Sequence, residues 1–109
     1  MGHEYQDRVS LEIARRVAAG LPDHPEWIEL ARTNLDNWTA RNHDAPRLLR
    51  NYEEWRHLLE LPLAELCEVL TAATDEGQRL RQSSPFAGVL SAQEVWDIKR
   101  RIRDESSAA

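Results

Sequence analysis

An all-α fold, one compact domain of about six short amphipathic helices, is predicted by two features of this 109-residue chain. Apolar residues recur every three or four positions through most of its length, and no alternating run long enough for a strand interrupts them. Pro, Gly and capping residues then cut the periodic stretches at short intervals. At 12.6 kDa the folded chain should hide about two-thirds of the surface its unfolded form exposes, enough for a real core.

The first helix is placed at about Glu4 to Ala19. Tyr5, Val9, Ile13 and Val17 stand four residues apart there, with Ala14 and Ala18 beside them. Gly20 is expected to end it in a left-handed conformation, with Leu21 folding back and Pro22 blocking continuation. Asp23-His24-Pro25-Glu26 opens the second helix, Asp23 capping the first amides and Glu26 at the capping-box position. Its stripe is Trp27, Ile28, Ala31, Leu35 and Trp38, running to about Arg41. Asp44 is the expected cap of a third helix with Leu48, Tyr52, Trp55 and Leu59 on one face.

A fourth helix begins near Pro62, with Leu63, Leu66, Cys67, Leu70 and Ala73 together. Asp75-Glu76-Gly77-Gln78 is read as a capping box for a short fifth helix to about Gln82. Leu80 is its one large apolar residue, so it must lean on its neighbours. Residues 83–90 are irregular, and Ser91-Ala92-Gln93-Glu94 is a full capping box opening the last helix. That helix turns Val95, Ile98 and Ile102 inward with Trp96 beside them, and carries Lys99, Arg100, Arg101 and Arg103 near its C-terminus, where cations suit the helix dipole. Short connections imply antiparallel neighbours, helices one to three forming a layer on which four to six pack. The domain is expected to span 1–105, with 106–109 a frayed tail.

The formal charge of −5 is unevenly spread. Residues 1–60 carry eight Arg against eleven acids, and residues 61–78 carry Glu65, Glu68, Asp75 and Glu76 with no base. From Arg79 to Arg103 the sign reverses, six bases facing Glu94 and Asp97. No run of about 18 apolar residues is present to span a membrane, and the start is too charged for a signal peptide, so a cytoplasmic protein without membrane association is expected. The single Cys67 allows no internal disulfide and no Cys-pair zinc site. Between Leu66 and Leu70 it reads as core filling rather than as a nucleophile.

Glu54 and His57 share the i, i+3 spacing of di-iron bundles, but no second Glu-x-x-His exists, so a solvated ion pair is expected and no metal or cofactor. Nor is there a phosphate-binding glycine loop, or a nucleophile elbow around Ser83 and Ser84; the chain is not expected to be an enzyme. Leu63 to Gln82 has the outline of a helix-turn-helix. Asp75 and Glu76 stand where a recognition helix meets phosphates, which makes nucleic acid an unfavoured partner.

The segment 83–90 brings Arg79, Arg81 and Gln82 toward Phe86, Val89 and Leu90. A hydrophobic plug formed by Phe86 and Leu90 is favoured over a partner-binding loop, and the two combine if Arg79 and Arg81 point outward while Phe86 points inward. Trp27, Trp38, Trp55 and Trp96 read as core, with one or two available to line a contact surface, since exposed Trp beside Arg is the composition of interface hot spots.

The stretches His24-Pro25-Glu26-Trp27-Ile28-Glu29-Leu30-Ala31-Arg32, Tyr52-Glu53-Glu54-Trp55 and Asp75 through Leu90 resemble those of small bacterial all-helical proteins, a likeness that covers most of the chain and implies no catalytic residues. Small acidic proteins of that kind are often one half of a two-gene pair, such as an antitoxin with its toxin.

The expected function is therefore a non-enzymatic protein–protein interaction module, the antitoxin-like partner of a two-gene pair, whose acidic surface meets a more basic protein from a neighbouring gene. Arg79, Arg81, Gln82, Phe86, Arg100 and Arg103 are the expected partner-binding residues, and the segment from Arg79 to Arg103 is where an acidic partner would dock. Homodimerisation through a Trp-bearing helix face is compatible with this. The alternative is a small DNA-binding transcriptional regulator using segment 63–82 and the basic last helix.

Overall fold

In the computed structural model, α1 (Gly2–Gly20), α2 (Glu26–Arg41), α3 (Pro46–Leu58), α4 (Leu63–Leu70), α5 (Asp75–Arg81) and α6 (Ala92–Ala108) follow one another with no strand among the described residues. Backbone is described for residues 2–108 and side chains for 4–105. The fold is all-α, as the periodicity predicts.

The long stripe of α1 is the spine. Val9, Ala14 and Val17 are buried, Leu21 follows them into the core, and α4, α5 and α6 all pack along the helix. Surface bonds set the α1–α6 register: the Tyr5 hydroxyl donates to the Lys99 carbonyl at 3.2 Å, Arg8 pairs with Glu105 at 2.9 Å and Arg101 with Glu12 at 3.5 Å. Exposed pairs like the last two add little stability, so burial of Ile98 and Ile102 does most of the holding. The Cys67 thiol rests 3.6 Å from the Ala18 carbonyl, half-buried between α4 and α1.

Helices α2 and α3 form a separate hairpin. Arg56 reaches across to Asp36 at 2.8 Å and to the Thr39 hydroxyl at 3.1 Å, the Trp38 and Tyr52 rings lie 5.7 Å apart, and the Asn42 amide donates to the Tyr52 oxygen. The expected layering of helices one to three is therefore corrected: α1 belongs with α4, α5 and α6. The two short helices α4 and α5 have too little apolar surface to persist without the α1 stripe.

Residues 83–90 join the two groups. Pro85, Phe86 and Leu90 are buried, and the plug is the arrangement that forms. The wholly buried Trp55 of α3 donates its indole N–H to the Leu80 carbonyl at 3.1 Å and meets the Phe86 ring edge-on, centroids 6.4 Å apart. From α2, the Asn34 amide donates to the carbonyls of Pro85 at 2.8 Å and Ala87 at 3.0 Å, satisfying a stretch that has no helical ladder of its own.

Helix starts differ in detail from those expected. The α6 box forms in full, the Ser91 hydroxyl accepting from the Glu94 amide at 3.1 Å and the Glu94 carboxylate from the Ser91 amide at 2.9 Å. At α5 the cap lies one residue earlier than expected, on Thr74, whose hydroxyl accepts from the Gly77 amide. Helices α2 and α3 have Pro25 and Ala45 at their N-cap positions with no side-chain cap bond, so neither Asp23 nor Asp44 serves. Their prolines supply the fixed φ instead, Pro25 at the cap position and Pro46 in the first turn.

Gly20 does not adopt the expected left-handed conformation; Gly88, at φ +88°, is the only residue with positive φ among those described. Gly20 is needed for space, because a Cβ there would stand 2.6 Å from the Trp27 ring. The constraint at Gly77 is harder, with a Cβ falling 2.1 Å from the Ala72 carbonyl oxygen, a backbone atom.

Replacing Gly77 by Ala should cost about 2 kcal/mol or more by denaturant unfolding, because backbone must move to admit the methyl. Trp55→Phe should cost about 2–3 kcal/mol, from a void and the lost indole bond to the Leu80 carbonyl, which keeps the Ser83 amide as donor.

Acid sensitivity follows from three carboxylates held below the ordinary range: Glu26 by backbone bonding and His24, Glu76 by Arg79, and Glu94 by the Ser91 amide. Lower folded values mean the unfolded chain binds more protons, so their stabilisation is complete above about pH 4.5 and is lost as pH falls further. Glu94→Gln should flatten the acid limb of a stability–pH curve followed by circular dichroism.

Candidate functional site

The six residues expected to bind a partner fall into separate environments. Arg79, on the outer face of α5, is bonded to Glu54 of α3 at 2.9 Å and to Glu76 of its own helix. Those two carboxylates raise its affinity for its proton and occupy its charge, so Arg79 is a clasp between α5 and α3.

Arg81 does not point outward as expected. It keeps 7 % of its surface and lies in the core, because residues two apart on a helix are turned by roughly 200° and cannot share a face. Its Nη1 donates to the carbonyls of Leu70 at 3.2 Å and Ala72 at 2.7 Å, so a cation from α5 closes the C-terminal end of α4. Its Nε is buried with no hydrogen-bond partner. Burial pushes the guanidinium below its ordinary pKa, Asp7 acts against that shift, and Arg15 adds to it.

Phe86 is core at 4 % exposure, set against Trp55 in the inward position that the plug gives it, with part of its ring in the wall of a cleft. Gln82, the C-terminal cap of α5, is exposed beside a cleft.

Arg100 and Arg103 lie on a different surface, the outward side of α6. With Val95, Ile98 and Ile102 turned inward, the i, i+3, i+4, i+7 set Trp96, Lys99, Arg100 and Arg103 forms one exposed stripe. Trp96 keeps 50 % of its surface, the largest exposure among the large hydrophobic residues described. The Arg100 and Arg103 guanidiniums stand 5.0 Å and 6.0 Å from its ring. Asp97 approaches Arg100 at 3.6 Å, whereas Lys99 and Arg103 have no ion-pair partner among the described residues. The signal was in the heptad spacing: once Val95, Ile98 and Ile102 define the inner face, Trp96 must lie off it.

Glu54 and His57 do not come together. Glu54 is taken by Arg79, while His57 stands 3.4 Å from Glu53 and 3.8 Å from Glu60 in solvent. Among the described residues no group of three or more His, Cys, Asp or Glu could hold a metal ion. The α4–α5 pair presents the exposed Asp75 and Glu76 at the start of α5, and no helix is long and apolar enough to cross a membrane.

Burial raises the Cys67 thiol pKa. Its reaction with a thiol reagent near pH 8 should be about tenfold or more slower in the native chain than in denaturant, and an equal rate would place the thiol in solvent. No protein-family model, curated protein or solved structure matches the chain.

Proposed function

We propose that the chain is a non-enzymatic interaction module that docks an acidic surface of a partner protein on the Trp96, Lys99, Arg100 and Arg103 stripe of α6, as one member of a two-gene pair of the antitoxin and toxin kind. The observation that carries this reading is the half-exposed Trp96 flanked by two guanidiniums. A guanidinium lying on an indole shields apolar ring surface while leaving its N–H edges free for carboxylates. Apolar anchor and charged fork thus occupy one spot, the composition found at the energetic centre of interfaces.

The acidic segment 61–78 supports the reverse polarity, a basic partner, less well. Glu76 is committed to Arg79, and Glu65, Glu68 and Asp75 are exposed on a surface without an aromatic anchor. Contacts of that kind resemble an interface rim and add little affinity.

Co-expression with the product of the adjacent gene, followed by affinity measurement on the purified proteins, tests the reading. Trp96→Ala and Arg103→Glu should each weaken the complex about tenfold or more with helicity unchanged, and rising salt should weaken it further. Lack of association, or variants that bind as well as the parent, would refute it. A shift of duplex DNA at near-physiological salt would favour a regulator instead.

A further inference from the structure

Between α1 and the α2–α3 hairpin the structure holds a cleft of about 530 Å³, a size suited to a small organic molecule. Its wall is largely apolar, formed by Ile13, Leu48, Tyr52 and Phe86 among others. Among the described residues the only charged groups lining it are Arg41 and Arg81, with no Asp or Glu. In a chain of net charge −5, a cleft with two cations and no anion is a local reversal of sign. We propose that this cleft binds a small amphipathic monocarboxylate, its carboxylate on Arg81 and its hydrocarbon body against Ile13, Leu48 and Phe86.

Arg81 selects the headgroup. Its α4-capping role uses Nη1 alone, and Nε has no partner. No carboxylate lies within ion-pair distance of it among the described residues. A buried guanidinium with spare donors is the natural mate of one planar carboxylate, which it can meet with two hydrogen bonds. A bare phosphate dianion would leave the apolar part of the wall, Ile13, Leu48 and Phe86, without a match. An uncharged hydrocarbon would match the apolar wall but leave the buried Arg81 Nε without an acceptor.

Other polar groups fit the same headgroup. The Tyr52 oxygen accepts from the Asn42 amide, which leaves its own O–H to donate, and Arg41 stands exposed at the edge without an ion-pair partner among the described residues. Leu48, 38 % exposed although its helix spacing assigns it to the core stripe, is the apolar residue best placed to meet an incoming chain.

Calorimetric titration and thermal melting of the full chain with octanoate, octanol, acetate and inorganic phosphate test the proposal. Octanoate should bind and raise Tm, while octanol, acetate and phosphate should each bind about tenfold or more weakly. Leu48→Glu, a change at an exposed position, should lower octanoate affinity about tenfold or more by placing a like charge in the cleft. Arg81→Gln should do the same if it folds; if it does not, Leu48→Glu decides. Trp96→Ala should leave octanoate affinity unchanged, which separates this site from the α6 stripe. Octanol binding as well as octanoate, acetate or phosphate matching it, unaltered affinity in Leu48→Glu, or no octanoate binding at about 10 mM would each overturn the proposal.

Discussion

The indole of Trp55 is enclosed on all sides, and its N–H has a single acceptor, the carbonyl of Leu80 on a helix 25 residues further along the chain. That bond and the edge contact with Phe86 join the α2–α3 hairpin to the group built on α1. Burial of so large a ring drives the association, and the N–H fixes where it stops, because a buried indole donor without an acceptor is costly. The plug at 83–90 owes its position to the same joint, with Asn34 holding two of its carbonyls from the α2 side.

Close backbone approach is the second constraint, and it falls on α5. Gly77 leaves room for the Ala72 carbonyl, Thr74 caps the helix, and Arg81 turns back from its far end to bond Ala72 and Leu70. Seven residues with one large apolar side chain are thereby held on α1 by geometry at both ends. Arg79, on the opposite side of the same helix, adds a clasp to Glu54 that salt can screen.

Two cationic features in an acidic protein follow from this packing. One is the α6 stripe, where Trp96 and the guanidiniums of Arg100 and Arg103 share a solvent-facing surface, and the interaction reading rests on it. The other is the cleft whose wall holds Arg81, a cation placed inside because its first duty is to close α4. A residue recruited for helix capping thus leaves spare donors beside an apolar cavity, and the carboxylate proposal starts there.

Helix number and most of each inner face were legible in local spacing, since a 3.6-residue period and a break at Pro or Gly need no knowledge of distant residues, although Leu48 and Leu63 of those faces are exposed and the backbone of α6 runs on to Ala108. The plug at Phe86 and the capping box at Ser91 could be read in the same way. The grouping of α1 with α4, α5 and α6 could not, because several antiparallel arrangements satisfy the same stripes and the choice depends on which faces fill each other. Gly20 and Gly77 look like helix punctuation in one dimension and prove to be spaces for Trp27 and Ala72 in three. Arg79 and Arg81 are near neighbours in a basic segment, and the packing of α5 on α1 sends one to solvent and the other inside. Periodicity along one chain is a local property, so the helices and their inner faces came from sequence. Burial, charge pairing and the cleft depend on residues far apart in the chain, 25 positions for Trp55 with Leu80 and 94 for Tyr5 with Lys99, and contact between folded elements alone settled them.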